Sequence, residues 1–299
     1  MSELYPFQGR YFDRHGNRLH YLDEGHGPPV VMLHGNPSWS FYYRNLVIAL
    51  RGTHRCIVPD HIGCGLSDKP AADKYPYTLE RRIADLDVLL DRLDVRDNIT
   101  LIVHDWGGMI GSAWAVRHPE RIARLVILNT GAFHIPAAKS LPWQLWLVRN
   151  TPLGPLLVRG LNAFCRGAAR SCCTRRPMSA EVRAGFLEPY DSWANRVAVL
   201  RFVQDIPLRV GDPSYDVVTA TQDGLTRLRD VPVLICWGMR DFVFDRHFLA
   251  EWQRRFPRAE VHRFEDAGHY VLEDAHKEIV PLVRRFLERE SANLPCSRP

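Results

Sequence analysis

Polar and apolar residues first follow a hairpin rhythm. Tyr11-Phe12-Asp13, a turn at His15-Gly16-Asn17 and a return from Leu19 to Leu22 predict a β-hairpin over residues 10–25. From Pro28 the pattern changes to short, unbroken apolar runs: Val30–Leu33, Cys56–Val58, Ile99–Val103, Leu125–Leu128 and Val233–Cys236. Runs of this length, bounded by Gly, Pro and Asp, read as strands covered on both faces, as in a parallel sheet. Helical spacing lies between them. Thr78 is placed as an N-cap, and Leu79, Ile83, Leu86, Leu90 and Leu93 follow at intervals of three or four, with charges on the other face. Strand and helix in turn imply an α/β fold, a mostly parallel central sheet flanked by helices.

The rhythm fails between residues 131 and 215. That segment is rich in Trp, Pro, Leu and Arg, with helical stretches such as Trp143–Arg149 and no strand-like run. It predicts an inserted helical cap over the C-terminal edge of the sheet. The expected organisation is a core at 1–130, a cap at 131–215 and the rest of the core at 216–299. A last strand at Ala259–Phe264 precedes a helix from about His276, and the tail after Ser291 is expected to fray.

Composition narrows the class. With 46% hydrophobic and 24% charged residues, disordered and fibrous chains are set aside. No run of about 18 uncharged apolar residues is present, and the start MSELYPFQGR lacks the apolar core of a secretory signal. The seven cysteines are odd in number and form no CxxC pair, which argues against a disulfide framework or a zinc site. A cytoplasmic location and no bound metal are the expectations.

Charge adds one feature. The net charge is +5, yet from Arg121 to Ala180 nine Lys and Arg face no Asp or Glu, leaving the remainder net acidic. Such asymmetry points to an anionic membrane surface or a partner protein, or equally to a solvated basic face. No nucleic-acid-binding motif accompanies it, so nucleic acid is not an expected partner.

The most specific chemical signal is Val103-His104-Asp105-Trp106-Gly107-Gly108. A buried strand ends at Asp105 and a helix starts at once, with Gly107, Gly108 and Gly111 allowing close helix–strand approach. This is the setting of a nucleophile elbow, with Asp where serine hydrolases carry Ser and with Val103 in place of the usual first Gly. An Asp at such a junction also serves as a simple N-cap. Asp241 follows the run Val233–Cys236, and His269 follows the last predicted strand. The order nucleophile, acid, histidine is that of the α/β-hydrolases, and all three fall where such sheets place ligands. After Val30–Leu33 comes His34-Gly35-Asn36-Pro37, a loop expected to supply one backbone N–H of an oxyanion hole. The second comes from Trp106. The Asn36 amide and the Trp106 indole add two neutral side-chain donors for a departing anion, although Asn36 also suits a turn. Asp60 and the loop Gly63–Ser67 read as structural turn chemistry. A carboxylate nucleophile displaces a leaving group from saturated carbon to form an alkyl ester, which leaves three reactions open: halide expulsion, epoxide opening and opening of a strained lactone.

The segments HGNPSWSFYYR (34–44), PDHIGCGLSDKP (59–70), HDWGGMIGSAWA (104–115), WGMRDF (237–242) and DAGHYVLEDA (266–275) resemble the haloalkane dehalogenase family of the α/β-hydrolase fold over nearly the whole chain. The resemblance implies Asp105 as nucleophile, His269 as base, Asp241 as its acid, and Asn36 with Trp106 as the anion-holding pair. Epoxide hydrolases are similar but use two cap tyrosines, for which Tyr190 and Tyr215 are available. The cap runs at 189–196 and 201–207, with Leu141-Pro142-Trp143 and Asn162-Ala163-Phe164, are similar to the branch holding the bacterial olefin-biosynthesis β-lactone decarboxylases. That branch implies conversion of a cis-3,4-dialkyl-β-lactone to a cis-alkene and CO₂ without a cofactor, and assembly with other enzymes of the route. Trp143, Leu145, Trp146, Leu147, Leu156, Leu157 and Phe164 are then candidates to line an apolar channel, with Tyr190 as a further substrate contact. These aromatics equally suit an ordinary cap core, and a non-catalytic binding protein on the same fold is a further alternative.

Overall fold

The computed structural model describes residues 3–291. The tail after Ser291 and Cys296 lie outside the described residues. The hairpin forms as expected from β1 (Arg10–Arg14) and β2 (Asn17–Glu24), with Phe12 opposite Leu19. The apolar runs become β3 (Pro29–Leu33), β4 (Arg55–Pro59), β5 (Ile99–Asp105), β6 (Ile122–Thr130), β7 (Val233–Gly238) and β8 (Glu260–Phe264). Together they make one sheet in the order β1-β2-β4-β3-β5-β6-β7-β8. The pairs β1/β2 and β2/β4 are antiparallel and all others are parallel.

Alternate residues of the strands feed two cores. Met32, Ile102, Val126 and Leu234 pack on one face, and Leu33, Leu101, Ile127 and Ile235 on the other. This two-sided burial is why the runs show no polar alternation. Every residue of β5 is buried, and its Ile and Leu side chains each contribute roughly 1.5–3 kcal/mol by leaving water. The chain turns from β3 to β4 on one side and places β5 on the other, so the strand order reverses at β3. The crevice outside the C-terminal ends of β3 and β5 is where open α/β sheets hold ligands.

Helices α1 (Arg44–Leu50), α2 (Leu79–Arg92) and α3 (Trp106–Arg117) cover the sheet. Thr78 caps α2, its hydroxyl accepting the Arg81 N–H at 3.4 Å, and Leu79, Ile83, Leu86 and Leu90 are buried. Between β6 and β7 every described element is helical. These are α4 (Trp143–Asn150), the single turn α5 (Leu153–Pro155), a π-helical turn at Leu156–Gly160, α6 (Ala163–Ser171), α7 (Ala180–Leu187), α8 (Val197–Gln204) and α9 (Tyr215–Gly224), with short 3-10 turns. Then come α10 (Arg246–Arg255), the short α11 (Val271–Asp274) and α12 (His276–Ser291).

A buried polar clasp ties α8 to α2. Asp205 accepts the Leu79 N–H at 2.7 Å and the Ser214 hydroxyl at 2.8 Å, and it faces the Arg82 guanidinium at 3.6 Å. Arg82 in turn lies over the Phe202 ring at 3.7 Å. The six described cysteines are free and buried. Among the described residues no helix is long and apolar enough to cross a membrane.

Candidate active site

Asp105 closes β5 and precedes α3 with φ 50° and ψ −126°. A non-glycine residue in that region is strained by about 1–3 kcal/mol, a cost smaller than the burial of β5 that holds it. The glycines around it are dictated by space. A Cβ on Gly107 would meet the Leu33 carbonyl oxygen at 1.9 Å, and one on Gly108 would meet Thr130 Oγ1 at 1.8 Å. Gly35 is bare to make room for Asp105 itself, since a Cβ there would lie 2.0 Å from Asp105 Oδ1.

The two backbone donors expected of an oxyanion hole converge on the Asp105 carboxylate. The Asn36 N–H donates to Oδ1 at 2.6 Å, and the Trp106 N–H also donates to the carboxylate. His269 Nε2 stands 3.8 Å from Asp105 Oδ2, and its Nδ1 is 2.8 Å from Asp241 Oδ2. The structure thus brings Asp105, His269 and Asp241 together in that order. Burial raises the Asp105 pKa above the ordinary carboxylate value, opposed by His269 and the two N–H donors. Burial pulls His269 down, but Asp241 and Asp105 outweigh it and leave the imidazole with a raised pKa. The two acidic side chains flanking the ring are thus what holds the imidazole's proton more firmly than in a free histidine.

Two supports were not anticipated from sequence. Asn129, at the end of β6 with φ 31°, donates its amide to Asp241 Oδ2 and to the Gly238 carbonyl, both at 3.0 Å. Its own Oδ1 accepts the Gly238 N–H at 2.7 Å, and Asp241 Oδ1 accepts the Val243 N–H at 2.7 Å. The available signal was a polar residue ending an apolar run at the ligand-bearing edge. His104, beside Asp105, bonds through Nε2 to the His269 carbonyl at 2.8 Å and so fixes the histidine loop from below. Asp60 is structural, as expected: its carboxylate accepts the Ser40 and Leu66 N–H groups and pairs with His20 at 2.8 Å.

Asp105, His269, Asn36 and Trp106 form the floor of a cavity of about 530 Å³ with mostly apolar walls. Its volume falls within the range of small-molecule sites. The Asn36 amide donates one hydrogen to the Val199 carbonyl of α8 at 3.1 Å, which leaves its second hydrogen for a ligand. Trp106 stands against Phe202 at 5.3 Å between ring centres. Among the cap candidates, Trp143, Leu145, Leu147, Leu157 and Phe164 line the cavity.

Four candidates are corrected. Trp146 and Leu156 lie outside the wall and are exposed, because Leu145 and Val148 take the inward face of α4 and Val158 that of the π turn. Tyr190 is fully buried away from the cavity, its hydroxyl donating to the Ser38 carbonyl at 3.0 Å. Tyr215 stacks near His134 at 4.4 Å, also off the wall. Neither tyrosine is placed to protonate an epoxide oxygen.

The alpha/beta hydrolase fold family matches residues 28–276. The cis-3-alkyl-4-alkyloxetan-2-one decarboxylase of Shewanella oneidensis is 58% identical, covering 96% of this chain and 90% of the relative. Its namesake in Xanthomonas campestris is 50% identical over 95% and 97%. Among solved structures, the haloalkane dehalogenase DatA of Agrobacterium tumefaciens superposes with a TM-score of 0.84 at 25% identity, covering 95% and 97% of the two chains. With the Asp105 elbow and the eight-stranded sheet already in view, the chain belongs to the α/β-hydrolase-fold family and, within it, to the family of the cis-3-alkyl-4-alkyloxetan-2-one decarboxylases.

Proposed function

We propose that this enzyme converts cis-3,4-dialkyl-β-lactones to cis-alkenes and CO₂ in long-chain olefin biosynthesis, with Asp105 as the attacking group. The observation that carries the reading is a carboxylate at the elbow, set with Asn36 and Trp106 at the floor of an apolar cavity. The substrate class comes from the relatives' chemistry. Asp105 attacks the ring carbon that bears oxygen, the C–O bond breaks, and the released carboxylate is held by the Asn36 amide and the Trp106 indole. The ester and the new carboxylate then sit on adjacent carbons. Cleavage of the C–C bond to the carboxylate releases CO₂, its electrons form the double bond, and Asp105 leaves as carboxylate.

Stereochemistry supports this sequence. Displacement inverts the attacked carbon, and loss of two groups from opposite faces inverts the relation again. A cis lactone therefore gives a cis alkene. No proton is transferred in the net reaction, so His269 has no obligatory base step, and its positive charge balances Asp105 as the carboxylate forms and reforms. The reaction is tested with purified enzyme and a cis-dialkyl β-lactone, followed by alkene release. Asp105→Ala is expected to abolish turnover, and wild-type rates from that variant would overturn the proposal.

A second reading has its own observation. The His269–Asp241 pair beside Asp105 is also equipped to activate water against an alkyl ester, as a haloalkane dehalogenase requires. Bromo- and iodoalkanes offered in parallel separate the two: alkene from lactone with little halide release supports decarboxylation, and rapid halide release without alkene supports hydrolysis.

A further inference from the structure

We propose that the outer face of α4 to α6 is a docking surface for an anionic phospholipid membrane, and that the cavity opens onto it. Trp143 is 70% exposed and Trp146 is 53% exposed, on the same outward stripe of α4. Leu153 in α5, Leu156 in the π turn and Leu161 directly after that turn are each more than half exposed. A folded monomer rarely leaves so many large apolar side chains together in water. These elements pack in series, α4 on α5, α5 on the π turn and the π turn on α6, so the exposed side chains sit on neighbouring elements of the cap.

Charge selects the occupant. The acid-free stretch from Arg121 to Ala180 contains this whole face. Arg121, Lys139, Arg149 and Arg175 are neutralised by carboxylates from outside the stretch. Arg159, Arg166 and Arg170 form no ion pair among the described residues, and Arg166 and Arg170 stand exposed on α6. Arginines mixed with exposed Trp and Leu match a layer of anionic headgroups above acyl chains, where indole rings settle at the boundary. A protein interface would instead gather apolar side chains at a centre and keep charge at the rim.

Trp143 joins the surface to the site, since it is both on the exposed face and on the cavity wall. Gly167 of α6 also lines the cavity, and a Cβ there would meet nothing within 4 Å, so the rim is open on the α6 side. An apolar ligand dissolved in the bilayer would thus reach the floor without crossing water. The surface stands on side-chain chemistry alone and does not depend on the reaction assigned to Asp105.

The test is sedimentation of the full chain with vesicles of phosphatidylcholine alone or mixed with phosphatidylglycerol, at low and high salt. Binding to the anionic vesicles, weakened by salt and at least roughly tenfold stronger than to the neutral ones, is expected. Arg166→Glu with Arg170→Glu should remove most of that preference. Trp146→Ser with Leu153→Ser and Leu156→Ser should remove binding to both vesicles while leaving the circular dichroism spectrum unchanged. No vesicle binding, or binding unaffected by both sets of changes, overturns the proposal. So does a self-associated species in sedimentation equilibrium that the serine variant dissociates, which would assign the face to a second copy. Capture of the face by another enzyme of the same route, with no lipid binding, overturns it as well.

Discussion

The floor and the roof of the cavity are built on opposite terms. On the floor each carboxylate is held by several directional bonds: Asp105 by the Asn36 and Trp106 N–H groups, and Asp241 by Asn129, Val243 and His269. The roof is made of short helices whose inward side chains, such as Leu145, Val148 and Phe164, touch the cavity through apolar surface. Hydrogen bonds fix a position to within tenths of an ångström, whereas apolar packing fixes a volume and lets side chains readjust. Under the proposed reaction, chemistry belongs to the sheet edge and substrate length to the cap.

The sharpest way to break that contrast is to disturb the floor without touching a reacting group. Gly35→Ala places a methyl group 2.0 Å from Asp105 Oδ1, so the carboxylate must shift, and turnover should fall by roughly a hundredfold or more. A rate within a factor of about two of wild type would show that the floor tolerates movement as the roof does. Next is His269→Ala, which removes the imidazole 3.8 Å from Asp105. Alkene formation should drop yet persist measurably, whereas halide hydrolysis should vanish, because only hydrolysis requires a proton acceptor. Equal loss of both would make His269 obligatory for decarboxylation.

Asn129→Ala loosens Asp241 and acts through His269, with an expected loss of roughly tenfold to a hundredfold in kcat. Its pH profile should move to lower pH, since a less firmly held Asp241 supports the imidazolium less. An unmoved profile would reduce Asn129 to packing. On the roof, Phe164→Ala should change kcat by less than about threefold while shifting preference toward longer alkyl chains, read from kcat/KM across a lactone series. A hundredfold loss there would erase the distinction between the two regions.

The smallest effect is on stability. Burial pushes the pKa values of His34, His61 and His104 below the ordinary 6.5. The unfolded chain gains protons as pH falls through 6.5 while these folded imidazoles stay neutral, so stability present above that pH is lost below it. His269 has the opposite sign, its contribution being complete below 6.5 and lost as pH rises through its raised value. With His54 and His134 lowered as well, five groups stand against one, and the thermal midpoint should fall between about pH 7 and pH 5, measured by calorimetry. A midpoint that rises over that range would contradict the neutral burial of the three histidines.

The same contrast explains what could be read in advance. The strands, the α2 cap at Thr78 and the cluster of Asp105, Asp241 and His269 were legible because each rests on local chemistry: an unbroken apolar run, a hydroxyl before a helix, a titratable residue just past a strand. Asn129 was hidden because its partners Gly238 and Asp241 lie more than a hundred residues away in sequence. The cap was half legible. Its helical character follows from composition, but which face of α4 turns inward depends on what lies beneath. Trp143 reaches the cavity from the rim, whereas Trp146, three residues on and equally aromatic, does not.

The positive φ of Asp105 bears on how such a chain changes over generations. Asp105→Gly would relieve a backbone strain of about 1–3 kcal/mol and remove a buried charge, at the loss of the proposed attacking group. Drift alone therefore favours a quieter residue at this position. Under the proposed reaction, a lineage that had stopped using it would gain stability by taking that path, so the aspartate would persist only while the chemistry is under selection.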